Sequence, residues 1–586
     1  MKPLRLPPVL TAPGIRRLGL ADVAILCLVG GAIAALIAFA REFEAPLRQA
    51  VQIDLRLTAL PRYTLYSLAR GVIALAISYL FALGFGWAAA KSRAAERVLL
   101  PMLDILQSIP VLGFLPGLVL GLMSLFPTRN IGLELAAILM IFTAQAWNLA
   151  FSFYNSLKTL PDPLRDACKV AGWRPSRTFW QLEVPAAAQG LVWNGMLSMA
   201  GGWFFLMINE AFRLGDHDFR LPGVGAYMSV AVEHGDSRAT ALALVAMAVM
   251  IVASDRLLWR PLVVWAQKYR LDDSAGGPAE ESWILGILQR SVLWRLRPPT
   301  RWRPPRSARK AALPLRRGIR RARRMLRPRR TVLLVGWLTR GALVVALAAV
   351  ALGAVVGLYR VGRLLVHLPR ADWGSLAGAA GLTFLRVMSA VVLSTLWALP
   401  VGIWVGTSPR ISRALAPVIQ LFASFPAPML FPIVVLVLGW LGVPLGFGAI
   451  ALMVLAAQWY ILFNVISAVE AAPGQLAEAT LAFRLPPWQR WRKLYIPVAF
   501  PSLVTGWITA AGGAWNAAIV AEYVQQGSAV RTTTGLGSLI SVATERADFP
   551  LLAGGVLVMS AVVVGWNRAV WRPLARLAQT RFGLTQ

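Results

Sequence analysis

An all-α polytopic membrane protein, with about twelve transmembrane helices in two parallel six-helix repeats, is the fold class that this sequence predicts. Hydrophobic residues make up 57% of the 586 residues, a share above that of typical soluble domains. Apolar runs of about twenty residues recur, and each is long enough to cross about 30 Å of hydrocarbon as a helix. The later part of the chain also repeats the earlier part, which indicates two similar membrane units.

The apolar runs divide the chain into two repeats joined by a basic linker. The first repeat, residues 1–265, has predicted spans at residues 21–40, 63–90, 102–126, 131–154, 187–211 and 238–258. Residues 266–330 form the linker. The second repeat, residues 331–586, has predicted spans at residues 332–358, 378–406, 416–441, 445–468, 499–523 and 550–570. An even number of spans makes both repeats enter the membrane from the same side, so they are parallel repeats.

Matching residues of the two repeats lie at a nearly constant separation. It is 316 residues between Arg70 and Arg386 and 312 residues between Trp147 and Trp459. Such agreement over most of the chain indicates that one membrane unit was duplicated.

The charge distribution predicts the orientation of the chain. The formal net charge is +33, and the basic residues concentrate at the amino terminus, in the linker and after the second, fourth and sixth spans. The positive-inside rule places these segments, and with them both termini, in the cytoplasm. Because the arginines occupy loops and a linker rather than one folded face, nucleic acid is not expected as a partner.

The sequence predicts neither a metal site nor a catalytic site. Cys27 lies in an apolar run and Cys168 in a predicted cytoplasmic loop, so a disulfide is not expected. The three histidines accompany no cysteine pair and no HExxH pattern. The absence of a GxxxxGK[ST] sequence predicts that the chain has no phosphate-binding loop. We therefore expect no cofactor on this chain and no enzymatic activity of its own.

The linker has two parts. Residues 283–294 (WILGILQRSVLW) predict a short amphipathic helix at the membrane interface. Residues 316–330 include nine arginines, which favour a tether and stop-transfer signal between the repeats. Contact with anionic lipid is the alternative, because each basic residue near the membrane surface contributes about 1 kcal/mol.

A polar stretch interrupts the apolar runs at the same place in each repeat. It covers residues 161–185 (PDPLRDACKVAGWRPSRTFWQLEVP) and 473–497 (PGQLAEATLAFRLPPWQRWRKLYIP). Asp162 is a predicted cap of a short helix that has Pro163 at its first position. Gly172 is predicted to end this helix in a left-handed conformation, after which a second helix begins. Both stretches are too polar to cross a membrane.

These stretches resemble the EAA loop of bacterial ABC importer permeases, in which an acidic residue and two small residues precede a glycine, an aliphatic pair and a proline. The matching residues of the first copy are Asp166, Ala167, Cys168, Gly172, Leu182, Val184 and Pro185. Those of the second copy are Glu478, Ala479, Thr480, Leu494, Ile496 and Pro497. Arg484 stands where the family has glycine, and a left-handed non-glycine residue costs about 1–2 kcal/mol. The resemblance implies that the first helix of each loop, the coupling helix, docks on an ATPase, with Asp166 and Glu478 positioning it.

The resemblance extends over most of the chain outside the linker. The segments SIPVLGFLP (residues 108–116) and SFPAPMLFP (residues 424–432) resemble the third helix of permeases for nitrate, sulfonate, taurine and bicarbonate. This implies the type I ABC importer permease fold, with two permease copies fused in one chain. It also implies two ABC ATPase subunits that hold ATP and Mg, a periplasmic binding protein, a small anionic solute and a bacterial inner membrane.

Four charged residues lie inside predicted spans, where a charge costs about 2.5–3.5 kcal/mol by insertion scales. Arg70 and Glu210 lie near the outer ends of the second and fifth spans, and Arg386 and Glu522 repeat this placement. We expect each arginine to pair with the glutamate of its own repeat. The alternatives are independent side chains that extend to the interface or a glutamate on the solute path.

Six polar residues within the spans are candidates for a translocation path between the repeats: Gln145, Asn148, Asn209, Gln458, Asn464 and Asn516. Hydrogen bonds between helices are the alternative explanation and are favoured.

These features together indicate the membrane-spanning subunit of an ATP-driven importer. The first alternative is a secondary transporter or channel that uses the repeat without ATP, although two EAA-like loops have no evident use in such a protein. The second alternative is a membrane scaffold without a transported solute.

Overall fold

The computed structural model describes residues 20–45, 51–215, 217–269, 355–526 and 529–582, together with residues 286, 348, 352 and 353. Of these described residues, those within 34–269 and 368–582 belong to one compact unit, and those within 20–33 and 286–367 belong to a second one. The larger unit therefore contains most of both repeats.

The first repeat consists of helices and one β-hairpin. The helices are α1 (Leu20–Glu44), α2 (Leu60–Lys91), α3 (Arg93–Ser108), α4 (Leu115–Leu125), α5 (Ile131–Lys158), α6 (Asp162–Val170), α7 (Pro175–Asn209), α8 (Val224–Glu233) and α9 (Ser237–Tyr269). The hairpin strands are β1 (Ala211–Leu214) and β2 (His217–Arg220).

From residue 370 on, the second repeat has the same order of elements as the first repeat from α2 on. Its helices are α10 (Arg370–Gly406), α11 (Pro409–Ser424), α12 (Ala427–Trp440), α13 (Leu445–Glu470), α14 (Gly474–Ala482), α15 (Pro487–Ala521), α16 (Leu536–Glu545) and α17 (Phe549–Phe582). Its hairpin strands are β3 (Tyr523–Gln526) and β4 (Ala529–Thr532).

Eight helices of the described residues are each long and apolar enough to cross a membrane: α2, α5, α7, α9, α10, α13, α15 and α17. Each coincides with a predicted span, and α1, with 25 residues, coincides with the predicted span at 21–40. The predicted span at 332–358 lies largely outside the described residues, as do the predicted helix at 283–294 and the arginine run at 316–330.

The predicted spans at 102–126 and 416–441 are wrong as single helices, because each is broken in two. In the second repeat, α11 and α12 are bent by 84° at the break. The breaks fall at Ile109 and Phe425, which have extended backbone with ψ of 130° and 126°. Each precedes a proline, and the proline ring disfavours helical backbone at the residue before it. The proline-containing segments thus end one helix and redirect the next.

Three long helices form the centre of each repeat. α2 packs against α5 and α5 against α7, and α10, α13 and α15 repeat this arrangement. Small residues lie at these contacts: Ala74, Ala82 and Ala89 of α2 are fully buried. A Cβ on Gly86 would lie only 3.1 Å from the carbonyl oxygen of Ala150. Close approach through small residues is how helices pack in lipid, where no hydrophobic force drives them together.

The two β-hairpins follow α7 and α15 and are not part of the all-α prediction. In the first hairpin Phe212 pairs with Phe219, and their rings stack at 5.2 Å between centroids. The hairpins are short and leave the fold helical. Gly215 of the first hairpin turn donates its backbone N–H to the carbonyl of Thr544 (3.3 Å), so the repeats touch at this end of the molecule.

Candidate translocation cavity, buried ion clusters and coupling loops

Arg70 of α2 is the centre of a buried ion cluster in the first repeat. Its guanidinium donates to Glu210 (2.7 Å) and, through two nitrogens, to Glu134 of α5 (2.6 and 2.7 Å). All three side chains are completely buried. Glu210 also accepts hydrogen bonds from Ser67 (2.6 Å) and from the backbone N–H of Gly225 (2.7 Å). The cluster therefore ties α2, α5, the end of α7 and α8 together.

The second repeat has a related cluster with one carboxylate fewer. Arg386 donates to Glu522 (2.8 Å), and Glu522 accepts from Thr383 (2.8 Å) and from the backbone N–H of Gly537 (2.9 Å). Gly446 stands at the position equivalent to Glu134, and its carbonyl accepts from Nε of Arg386 (3.0 Å). A neutral acceptor thus takes the place of a charged one.

Two glycines leave the space that the glutamates occupy. A Cβ on Gly223 would lie 2.2 Å from Cδ of Glu210, and one on Gly535 would lie 2.3 Å from Cδ of Glu522. The φ angles of the two glycines are −175° and 179°, so the backbone is extended and open to any residue. The requirement for glycine is therefore one of space, and a side chain here would displace the carboxylate.

The structure brings each predicted arginine–glutamate pair into contact, while the role of the pairs in transport stays a prediction. Sequence reasoning misses Glu134, because no acidic residue stands at the equivalent position of the second repeat. It also misses Ser67 and Thr383, although these hydroxyl residues share the separation of 316 with the two arginines. That shared separation is the signal that could have identified them.

A cavity of about 600 Å³ lies between the two repeats. It is lined by α3, α5 and α7 of the first repeat and by α11, α12, α13, α15 and α17 of the second. Its polar lining residues are Gln107, Thr143, Asn148, Ser152, Asn155, Asn194, Gln420, Tyr460, Thr505, Thr509, Asn516 and Asn567. Asn516 also joins the repeats, because its side-chain oxygen accepts from the backbone N–H of Val111 (3.0 Å).

Two of the six predicted path residues, Asn148 and Asn516, line this cavity. The four that do not are Gln145, Asn209, Gln458 and Asn464. Gln145 accepts a hydrogen bond from Ser78 of α2 (3.4 Å), which is a contact between helices. Asn464 donates to the carbonyl of Tyr460 in its own helix (2.7 Å). The sequence periodicity of a buried helix does not show which of its faces meets a cavity. A prediction from polarity alone therefore includes residues that line the cavity and residues that form hydrogen bonds within or between helices.

The first coupling helix, α6, ends in a left-handed turn at Gly172, which has φ of +65°. The N–H of Gly172 donates to the carbonyl of Lys169 (2.9 Å), and the N–H of Trp173 donates to that of Cys168 (3.0 Å). This pair of hydrogen bonds is the usual closure of a helix at glycine. The predicted turn therefore forms as expected.

The surface of α6 is charged. Asp166 and Ala167 are exposed, whereas Cys168 is buried. Asp166 pairs with Lys169 (2.8 Å), and this hydrogen bond and charge raise the pKa of Lys169. Asp162 is the first helical residue and makes no capping hydrogen bond, so the predicted cap is wrong: the chain enters the helix one residue earlier, at Pro161.

The second coupling helix, α14, ends in the same turn without glycine. Arg484 has φ of +51°, and its N–H donates to the carbonyl of Leu481 (2.9 Å). The N–H of Leu485 donates to that of Thr480 (3.0 Å). Arginine thus takes the left-handed conformation at a cost of about 1–2 kcal/mol. Glu478 is exposed on this helix.

The prolines that close the two loops lie just after wide helical turns. Pro185 follows a π-helical turn at Phe179–Glu183, and Pro497 follows one at Trp491–Tyr495. Proline has no N–H and its ring crowds the preceding helical turn, so a regular α-helix does not accept it in its interior. The wide turns accommodate the ring, and α7 and α15 continue from the coupling loop into the membrane.

Two helical repeats around a shared cavity, each with a helix–turn–helix loop at one end, define a membrane transport protein. Residues 81–258 and 398–567 match the family described as the binding-protein-dependent transport system inner membrane component. The two matches cover more than half of the chain, and the chain belongs to this family, with two permease units in one polypeptide.

Several curated relatives are transport permeases. The bicarbonate transport system permease protein CmpB of Synechocystis is 33% identical over 24% of this chain and 49% of its own length. A putative ABC transporter permease protein of Methanocaldococcus jannaschii is 31% identical over 35% of this chain and 76% of its own. The glycine betaine/proline betaine permease protein ProW of Escherichia coli is 26% identical over 32% of this chain and 50% of its own. The chain therefore spans about half the length of two of these relatives.

Proposed function

We propose that this chain supplies two membrane-spanning units of an ATP-driven importer. Two ABC ATPase subunits, which hold ATP and Mg, dock on the coupling helices α6 and α14 at the cytoplasmic face. A periplasmic binding protein delivers a small solute to the opposite face. The observation that carries the proposal is the pair of coupling loops, which adopt one turn geometry at equivalent positions of the two repeats.

The path of α7 supports mechanical coupling across the membrane. This helix begins at Pro175, directly after the first coupling helix, and ends at Asn209, next to Glu210 of the buried ion cluster. Its 35 residues correspond to about 50 Å of helix at about 1.5 Å per residue. α15 repeats this path from Pro487 to Ala521, next to Glu522. Movement of a coupling helix would therefore carry its whole repeat, and rocking of the repeats would open the cavity to alternate sides.

The chemistry of the solute is drawn from the relatives. Bicarbonate and betaines, which the names of two relatives give, both carry an acidic group. We therefore propose a small solute with an acidic group, a class that includes both the anionic solute expected from the sequence and zwitterions such as betaines. Catalysis is assigned to the ATPase subunits.

Uptake into liposomes tests this function. The chain is reconstituted with its ATPase subunits and binding protein, and labelled solute is added outside with ATP or ADP trapped inside. We expect accumulation with ATP alone, and none with ADP or with a catalytically inactive ATPase. Uptake that is driven by an ion gradient without ATP would instead support a secondary transporter, and equal uptake under all conditions would support a channel.

A further inference from the structure

The cavity between the repeats is uncharged and aromatic. Eleven of its lining residues are aromatic, and among the described lining residues none is acidic, basic or histidine. Its volume of about 600 Å³ is typical of sites for organic ligands, about 300–1,000 Å³. A solute inside therefore meets ring faces and neutral polar groups, and the lining supplies no counter-charge.

Several polar side chains of the lining have their own protons engaged within the protein. Thr143, Thr505 and Thr509 each donate the hydroxyl proton to a backbone carbonyl of their own helix (2.7, 3.2 and 3.0 Å). Asn194 donates its amide to Ser152 (3.0 Å) and to a backbone carbonyl (2.9 Å). When the protons are engaged by the protein, the oxygen lone pairs are what a solute can use. Oxygen lone pairs attract a cation and repel an anion.

Aromatic side chains from both repeats face this space. Trp147 and Trp459 occupy equivalent positions and both line the cavity. Each packs against a neighbouring ring, at 5.8 and 6.1 Å between centroids, which holds the indole in place. Tyr460 reaches between the repeats, since its ring comes 3.2 Å from the Cβ position of Gly513 and its hydroxyl 3.7 Å from that of Gly201. The face of an aromatic ring carries partial negative charge.

We infer that this cavity accommodates an organic solute with a positively charged nitrogen, so that the transported acid is a zwitterion such as a betaine or an amino sulfonate. The charged nitrogen lies against the rings of Trp147 and Trp459, where cation–π attraction acts in place of a counter-charge. The acid group is neutralised within the same molecule. This inference rests on the proposed function, because it names the solute class of the same pathway.

A small inorganic anion fits the cavity poorly for the same reasons. Recognition of an anion is strongest with cationic side chains, and none of the described lining residues is cationic. The transfer of a net charge from water into such surroundings is costly. A zwitterion avoids most of this cost, because its net charge is zero.

Matched probes test the inference directly on the purified full chain in lipid nanodiscs, without binding protein. Glycine betaine is compared with 3,3-dimethylbutanoate, in which carbon replaces the charged nitrogen. Taurine is compared with 2-hydroxyethanesulfonate, in which a hydroxyl replaces the ammonium. We expect at least one charged-nitrogen probe to bind with a Kd about tenfold lower than that of its counterpart. Equal affinities within both pairs, no binding of either zwitterion, or tighter binding of bicarbonate would overturn the inference.

Variants then locate the binding. Trp459→Leu should raise the Kd of the zwitterion about 3- to 30-fold, whereas Trp459→Phe, which keeps a ring, should retain most of the affinity. The matched control is Trp440→Leu, because Trp440 of α12 is 87% exposed on the outer surface and lies away from the cavity. An effect of Trp459→Leu no larger than that of the control contradicts the assignment. If the wild-type complex takes up a different solute with ATP but no zwitterion, this inference fails and the proposed function stands. If the wild-type complex takes up no solute with ATP, the result counts against the proposed function.

Discussion

Arg70 and Arg386 occupy equivalent positions but neutralise different numbers of carboxylates. Arg70 bonds to Glu134 and Glu210, whereas Arg386 bonds to Glu522 alone among the carboxylates of the described residues. Removal of one partner from a buried ion pair leaves a charge in the interior and costs about 3–5 kcal/mol. At the scale of single residues, the stability of the first repeat therefore depends more on Arg70 than that of the second repeat depends on Arg386.

Substitution of the two arginines measures this inequality. Arg70→Met leaves two buried carboxylates without a counter-charge, whereas Arg386→Met leaves one. We therefore expect Arg70→Met to lower the thermal unfolding temperature of the detergent-purified protein more than Arg386→Met does. Arg56→Met is the control, because the Arg56 side chain is 85% exposed and its loss should change stability by less than about 0.5 kcal/mol. Equal losses for Arg70→Met and Arg386→Met would refute the two-carboxylate cluster.

The glycine beside Glu210 gives a second test at this scale. Gly223→Ala places a methyl group where the carboxylate lies, and we expect a loss of about 2 kcal/mol or more, since a buried ion cluster is disrupted. Gly84→Ala is the matched control, because a Cβ on Gly84 of α2 meets nothing within 4 Å. That change should be neutral or stabilising by up to about 1 kcal/mol. Thermal unfolding of both variants gives the comparison.

Glu233, at the end of α8, makes stability depend on pH. Burial raises the pKa of Glu233, but the hydrogen bond and charge of Arg220 and the charge of Arg213 outweigh burial, so its pKa lies below the ordinary value. A lowered carboxyl pKa contributes stability above the unfolded value of about 4.3, and the contribution is lost as the pH falls through the folded value. We expect Glu233→Gln to be about 1 kcal/mol less stable at pH 7 and the difference to vanish in acid. A difference that does not change with pH would contradict this account.

At the scale of elements, the two coupling loops have the same turn geometry although their turn residues differ. α6 and α14 end in the same left-handed turn, at Gly172 and at Arg484. A Cβ at Gly172 would meet nothing within 4 Å, so glycine is favoured there by backbone conformation alone.

Exchange of the turn residues tests this view. Arg484→Gly should stabilise the second loop by about 1 kcal/mol, because it relieves a left-handed arginine, and Gly172→Ala should destabilise the first loop by about the same amount. Hydrogen exchange of the amides that close the two turns reports the local change. If Arg484→Gly does not slow the hydrogen exchange of the amides that close the second turn, the backbone of Arg484 is not strained.

The elements that sequence reasoning predicts well are those set by long apolar runs, such as α5 and α13. Its errors fall where a few residues redirect the chain. The breaks at Ile109 and Phe425 depend on a proline within an apolar run, and hydropathy alone does not distinguish that run from one straight helix. The β-hairpins depend on pairing of four-residue strands, which are too short to show a clear alternation.

At the scale of the whole molecule, the repeats are joined by contacts that the duplication does not repeat. Asp104 of α3 pairs with Arg572 of α17 (2.7 Å). The equivalent positions are Gln420 and Arg260, and Arg260 contacts Asp255 of its own repeat (3.4 Å). Comparison of the repeats predicts pairs within a repeat, such as Arg386 with Glu522, because both members recur. It does not predict the cavity or its lining, because those depend on how two different surfaces meet.

The central claim is that force enters the membrane part through both coupling loops. Its most direct test is the ratio of solute taken up to ATP hydrolysed by the reconstituted complex, for the wild type and for Asp166→Lys combined with Glu478→Lys. The control is Lys268→Glu, which reverses one charge in the last turn of α9 and lies outside both loops. We predict that the double variant still hydrolyses ATP but loses most of its uptake, while the control keeps the wild-type ratio. A double variant with the wild-type ratio would contradict the claim.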